Sequence, residues 1–212
     1  MGSEQLIEVL SLALIDAPVD AGVPEKIQNR VYPGVWATEM PGRAKSASLI
    51  VVKVQQGTQS VRIRQYPLRM EDREGIRPVI ERFIKYGLLI ECESEYNTAI
   101  LPVRKPDGSY RIGQDLRAIN MIVEDLHPVV ANPYTLLTKL TPELAWFTIL
   151  DLKDASFCLP LSPESQLLFA FQWENPHSGR KTQLTWTVVP QGFKNSPTLS
   201  GNQLAKDLEQ WE

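Results

Sequence analysis

Cysteine and histidine are scarce in this sequence, with two of each among 212 residues. Cys92 and Cys158 lie far apart and form no Cys-x-x-Cys spacing, which excludes a disulfide framework and a zinc-thiolate site and points to a reducing compartment. His127 and His177 each adjoin a proline, and two isolated imidazoles do not make the ligand set of a zinc hydrolase. Long apolar runs are lacking as well. The longest near the start, Leu6 to Ile15, holds Glu8 and follows an acidic opening, so neither a signal peptide nor a membrane span is expected. No charge of one sign dominates: 22 Lys and Arg face 25 Asp and Glu, a net charge of -3. Two catalytic signatures are missing too. Asp16-Ala17-Pro18 and Asp20-Ala21-Gly22 both miss the Asp-Thr/Ser-Gly of an aspartic protease, and no Gly-x-Ser-x-Gly marks a serine hydrolase.

What is present is enough apolar material for a core, 43% of residues, and an uneven spread of charge. From Lys53 to Arg117 there are 12 Lys or Arg against 9 Asp or Glu, which leaves room for a local basic surface or a merely solvated face. Residues 1–48 carry Pro18, Pro24, Pro33 and Pro41 without sustained periodicity and read as a loosely structured lead-in. The folded part is expected from Leu49. Leu49 to Val54 and Ser60 to Arg64 read as strands about the turn Gln55-Gln56-Gly57. Ile76, Val79, Ile80, Phe83 and Ile84 recur at helical spacing and predict an amphipathic helix over Met70 to Tyr86, closed by Gly87, with Pro78 marking a second helical piece.

Two short β-type runs, Leu88 to Cys92 and Thr98 to Arg104, precede Lys105-Pro106-Asp107-Gly108-Ser109-Tyr110-Arg111. Pro-Asp-Gly sets a tight turn, because Pro fixes φ and Gly accepts a positive one. The resulting hairpin carries Arg104 and Lys105 on one arm and Arg111 on the other. Three cations there suit either a polyphosphate or a solvated edge, and both readings stand at this point. Pro133 to Leu140 reads as a short helix and Ala145 to Leu150 as a strand. Phe169, Phe171 and Trp173 then pair with Leu184, Trp186 and Val188 across Asn175-Pro176-His177-Ser178-Gly179 as a second hairpin. Leu204, Leu208 and Trp211 give the final helix an apolar face. Strands and helices mix without a βαβ rhythm, so the expected class is α+β on an antiparallel sheet.

The stretch ILDLKDASFCLPL, residues 149–161, places two carboxylates and an ammonium between apolar ends. Read as a strand, it sets Asp151 and Lys153 on one face and Leu150, Leu152 and Asp154 on the other. A carboxylate at such a strand end is either a ligand for a hard cation or an ordinary salt-bridged cap.

Pro102-Val103-Arg104-Lys105-Pro106, Tyr110-Arg111, Gln114-Asp115-Leu116-Arg117, Ala131-Asn132-Pro133-Tyr134, Leu150-Asp151-Leu152-Lys153-Asp154-Ala155 and Pro190-Gln191-Gly192-Phe193-Lys194-Asn195-Ser196-Pro197 occur in that order. Together they resemble the reverse transcriptase of gammaretrovirus-like and endogenous retroviral Pol polyproteins, from about Leu49 to Trp211. The resemblance implies a right-hand polymerase's fingers and partial palm at 49–212, reached before a Tyr-x-Asp-Asp hairpin. It also implies RNA-directed DNA synthesis in the complete enzyme, by two-metal transfer from a dNTP to a primer 3′-hydroxyl. Asp151 is implied as catalytic and, with the Leu152 carbonyl, as a ligand of Mg²⁺ or Mn²⁺. Lys105, Arg111, Asp154, Ala155, Ser156 and Gln191 are implied at the dNTP, and Arg117, Gly192, Asn195 and Pro197 along an RNA or DNA template-primer. The implied partners are the rest of Pol, namely the remaining palm, thumb, connection and RNase H, in the virion or cytoplasm of a parent virus and without a membrane.

Departures accompany the likeness. Ile112-Gly113 stands where the family has Pro-Val, Ser156-Phe157 where it has Phe-Phe, and Ser200 where it has Phe. The family's aromatic at position 156 lies under the sugar and rejects ribose, so Ser156 implies a lost barrier. No Asp-Asp pair occurs, so these 212 residues alone are expected not to polymerise. A non-catalytic remnant that binds nucleic acid or protein is the alternative.

Overall fold

The computed structural model describes residues 25–38, 40–127, 141, 143 and 152–209. Two compact units divide the chain, Met1–Thr38 and Glu39–Glu212. In the first, helix α1 (Glu25–Gln28) and a 3-10 turn (Pro33–Val35) bury no side chain. The remaining described elements belong to the second.

Its longest helix, α2 (Met70–Lys85), opens with Glu71 and Asp72 and ends with Arg82 and Lys85, charges that suit the two ends of the helix dipole. Pro78 lies within it. Contrary to the expected second helical piece, the helix runs unbroken through it, because Pro78 is on the exposed side, where losing one backbone bond leaves a carbonyl free to meet water. The buried stripe is also narrower than the apolar spacing implies. Ile76 and Ile80 are fully buried, while Ile84 remains 44% exposed. Gly87, at φ +68°, turns the chain out of the helix.

Strand β1 (Leu89–Glu91) is followed by β2 (Ile100–Arg104) and β3 (Tyr110–Gln114), which form an antiparallel two-stranded sheet with Val103 opposite Arg111. Helix α3 (Arg117–Ile122) comes next. After a 3-10 turn at Ala155–Cys158 and the short α4 (Pro163–Gln166), β4 (Phe171–Glu174) and β5 (Lys181–Trp186) make the second hairpin. Strand β1 joins its β5 edge, giving the antiparallel order β1-β5-β4. Helix α5 (Ser196–Glu209) is the last described element. Helices and antiparallel sheets mix, as the α+β reading expects.

Three expected elements differ. Leu49 to Val54 and Ser60 to Arg64 are not strands of a hairpin: Ile50 bridges Leu161, Val54 bridges Val123 and Arg62 bridges Asn97, each as an isolated pair. These segments are threaded between distant parts of the chain, so they lack the continuous neighbour that a ladder requires. The charged stretch departs from a strand at Lys153-Asp154, where a turn leads into the 3-10 turn. Residues 41–48, grouped by sequence with the lead-in, run against the body, with the Ala44 N–H donating to the Cys158 carbonyl at 3.0 Å. The expected helix at 133–140, the strand at 145–150 and Trp211 lie outside the described residues.

An aromatic cluster centres the core. Trp186 stacks on Phe157 at 5.2 Å and meets Phe83 at 5.5 Å and Phe171 at 6.4 Å. Phe83 is half-buried, whereas a fully buried ring, as for Phe157, Phe171 and Trp186, contributes about 1.5–3 kcal/mol. The Trp186 indole N–H donates to Gln114 Oε1 at 2.8 Å, and the Gln114 amide donates to Thr98 Oγ1 and the Phe169 carbonyl at 2.8 and 2.9 Å. Gln114 thereby fastens the two-stranded sheet to the three-stranded one.

Candidate functional site

The β2–β3 turn is self-braced. Lys105 N–H donates to the Ser109 carbonyl at 2.8 Å, and Gly108, at φ +81°, donates back to the Lys105 carbonyl at 3.0 Å. Asp107 accepts from the Ser109 N–H and hydroxyl at 2.9 and 2.6 Å. The Ser109 hydroxyl, with help from its N–H and from the charge of Lys105, holds the Asp107 carboxyl below its ordinary range. Tyr110 fixes the hairpin on α2: a side chain at Gly75 would place its Cβ 2.4 Å from the Tyr110 ring, so the helix is bare where the ring lies on it. Neighbouring strand residues face opposite ways, so Arg111 points away from α2. Arg104, Lys105 and Arg111 are exposed, and among the described residues none of them forms an ion pair.

A second cluster joins the 154 loop to the 191 turn. Asp154 adopts the left-handed conformation, φ 54° and ψ 37°, rare for a residue with a side chain. Its carbonyl accepts from the Phe157 N–H at 2.8 Å, and its carboxylate accepts from Gln191 Nε2 at 3.2 Å. Gly192, at φ +87°, completes the turn. Ala155 and Ser156 are half-buried on the 3-10 turn, whereas Phe157 points into the core. Burial, with the Asp154 charge behind it, raises the Cys158 thiol.

A third cluster clamps the 192–195 segment to α3. Asn120 donates to the Gly192 carbonyl at 2.9 Å and accepts from the Lys194 N–H at 3.0 Å. Lys194 Nζ reaches the Val123 carbonyl at 2.8 Å and Asp125 at 2.7 Å, and this ammonium holds the Asp125 carboxyl down. Asn195 is only 6% exposed and spends both ends of its amide on backbone, the Leu126 N–H at 3.2 Å and the Glu124 carbonyl at 2.9 Å. Pro197, in the first turn of α5, is exposed. Arg117 is exposed but engaged: its fork meets Asp115 at 2.9 and 2.7 Å, and this pairing lowers the Asp115 carboxyl.

The structure therefore brings Lys105 with Arg111, Asp154 with Gln191, and Gly192 with Asn195. No hydrogen bond or ion pair among the described residues links the hairpin cations to the Asp154 cluster. Leu152 is 55% exposed, and Asp151 lies outside the described residues. No group of three or more metal-ligating side chains occurs among the described residues. These described residues do not by themselves supply the ligands of a divalent ion. Sequence reading missed Gly75 and Asn120, and gave Gln114 a place in a motif without a role. A glycine inside an amphipathic helix is a signal for close approach, but it does not name the partner.

A family model described as reverse transcriptase (RNA-dependent DNA polymerase) matches residues 103–212. The Gag-Pol polyproteins of woolly monkey sarcoma virus and gibbon ape leukemia virus are each 50% identical over 198 residues, 92% of this chain and 12% of theirs. That of baboon endogenous virus (strain M7) is 47% identical over 212 residues, 96% of this chain and 12% of its own length. The chain thus spans about an eighth of these relatives. With likeness over half the chain and more, the protein belongs to the reverse transcriptase family, in its gammaretrovirus-like Pol group.

Proposed function

We propose that this chain forms the fingers and opening palm, residues 49–212 with the packed segment 41–48, of an RNA-directed DNA polymerase. In this reading Lys105 and Arg111 hold the triphosphate of the incoming dNTP. The backbone of Asp154 and Ala155 faces the same group, and Ser156 lies under its sugar. Gln191 and Gly192 floor the nascent base pair, and Arg117, Asn195 and Pro197 flank the template. For Asn195 the role is positional, since its buried side chain shapes the loop. Asp151 and the Leu152 carbonyl are the proposed ligands of Mg²⁺ or Mn²⁺. The remaining palm, thumb, connection and RNase H of Pol are the proposed partners, in the virion or cytoplasm. Among the described residues no helix is long and apolar enough to cross a membrane.

One observation supports this reading most: Lys105 and Arg111, neither in an ion pair among the described residues, ride on a braced hairpin that Tyr110 seats on α2. A preorganised grip loses little entropy when it closes on a polyanion. The test is a chimera in which this chain replaces the matching segment of a complete gammaretroviral reverse transcriptase. Lys105→Ala with Arg111→Ala is expected to raise the KM for dNTP by at least about tenfold, the scale of one charge-assisted hydrogen bond. Affinity for template-primer should change far less. An unchanged KM refutes the assignment.

The 212-residue polypeptide itself is proposed to bind template-primer without extending it, because no Asp-Asp pair is available to help hold two metal ions. Primer extension on poly-rA with Mn²⁺ checks this, and incorporation above an Asp151→Asn control would overturn it.

A further inference from the structure

A cavity of about 530 Å³ opens between the segment 62–64, the loop at 94–97 and the β4–β5 hairpin, lined by Arg62, Arg64, Asn97, Gln172, Lys181 and Gln183 among others. Its size is that of a small-ligand site. Hydrogen bonds on both sides of Asn97 fix the first wall: Asn97 N–H donates to the Val61 carbonyl at 2.9 Å, Ile63 N–H to the Asn97 carbonyl at 2.7 Å, and the Asn97 amide to the Ile63 carbonyl at 2.7 Å. Burial alternates along this segment, with Arg62 and Arg64 exposed and Val61, Ile63 and Gln65 half-buried. Both guanidiniums therefore lie on one side of an extended chain. Among the described residues neither is in an ion pair.

The opposite wall is the sheet. Gln172 pairs with Gln183 and Glu174 with Lys181 in the β4–β5 register. Gln183 is fully spent, accepting from the Ser94 N–H at 2.8 Å and donating to the Tyr96 carbonyl at 2.8 Å, whereas the Gln172 amide has no side-chain partner among the described residues. Lys181 lies 3.5 Å from Glu174, but that carboxylate already accepts from Arg73 at 2.9 Å, so the pair does not cancel the charge of the arginines. The site is cationic and rich in donors, and no aromatic ring lines it. A nucleobase would find no stacking platform. Consecutive phosphates would find two forks suited to them.

We infer that the Arg62–Arg64–Gln172–Lys181 cavity is a second anion site, one that takes a run of phosphates and is independent of the hairpin grip at Lys105 and Arg111. The ligand is either a phosphodiester backbone or a free polyphosphate. The experiment uses the full 212-residue chain and calorimetric titration with two probes, inorganic tripolyphosphate and an abasic deoxyribose-phosphate oligomer. Four proteins are compared: wild type, Arg62→Gln with Arg64→Gln, Lys105→Ala with Arg111→Ala, and the two pairs of substitutions combined. Wild type is expected to bind at least one probe in a salt-dependent manner. The Lys105/Arg111 variant should retain the cavity's share, and adding Arg62→Gln with Arg64→Gln to it should weaken that share at least about tenfold, while Arg62→Gln with Arg64→Gln alone leaves the ligand-free Tm unchanged. Binding of the oligomer assigns the site to a strand, and binding of tripolyphosphate alone assigns it to a free polyphosphate. Absence of binding by wild type, or binding by the Lys105/Arg111 variant that survives the further loss of Arg62 and Arg64, overturns the inference. Failure of the hairpin assignment would show instead in the Lys105/Arg111 arm.

Discussion

Ser156 is half-buried on a 3-10 turn, and its neighbour Phe157, 4% exposed, is locked between Phe83 and Trp186. A 3-10 turn directs successive side chains about 120° apart, so Phe157 cannot serve the core and also fill the space beside Ser156. Pulling it out would empty a core position at a cost of about 3–5 kcal/mol. The volume left by serine therefore stays open in the proposed nucleotide site. In the chimera, Ser156→Phe is expected to lower kcat/KM for a ribonucleotide relative to the deoxyribonucleotide by roughly tenfold or more, and an unchanged ratio rejects the role. Cys92 offers a test of a different kind. Burial pushes its thiol up to about 11, so the unfolded chain ionises first as pH rises past the ordinary value of 9.0. The stability that comes with a neutral buried thiol is complete below pH 9 and is lost progressively toward pH 11. Urea midpoints of wild type and Cys92→Ala should therefore converge between these limits. A difference that is flat with pH would contradict the burial.

At the scale of elements, the decisive contact is between α2 and the β2–β3 hairpin. Alanine favours a helix over glycine by about 1 kcal/mol, so Gly75→Ala would stabilise an isolated helix. Here the new methyl would lie 2.4 Å from Tyr110 Cε2, and overpacking of this kind costs about 1–3 kcal/mol. The clash is expected to win: Gly75→Ala lowers Tm, and adding Tyr110→Ala removes the penalty. A raised Tm in the single variant would show that the ring is not seated there. The hairpin and α2 were legible in the sequence because their signals are local. Pro-Asp-Gly sets one turn, and apolar spacing with a terminal Gly87 sets the helix. What joins them was not legible. Gly75 meets a ring 35 residues on, Trp186 meets Gln114 across 72 residues, and Ile50 finds Leu161 as a single bridge, pairings that no local period encodes. The candidate site divides the same way. Its cations stand in a readable turn, but the clamp by Asn120 and the burial of Asn195 arise only from packing.

For the molecule as a whole, the open question is what its apolar surface does. Leu204 and Leu208 on α5 are 41% and 53% exposed, and Met121 and Leu126 are 77% and 45% exposed. Single exposed apolar residues are ordinary. Leu204 and Leu208 are one turn apart, however, and so form a stripe on one side of the helix. In the proposed function such a stripe packs against the rest of Pol. When the 212-residue chain is alone, the same chemistry favours self-association, and a net charge of -3 over 212 residues supplies little repulsion against it. Sedimentation velocity is expected to show a concentration-dependent shift to larger species. Leu204→Glu with Leu208→Glu should abolish that shift without lowering Tm, since neither side chain belongs to the core. A wild-type chain that stays monomeric over the range, or a charged variant that associates equally well, would place the adhesive surface elsewhere and remove α5 as the contact with the remaining polymerase.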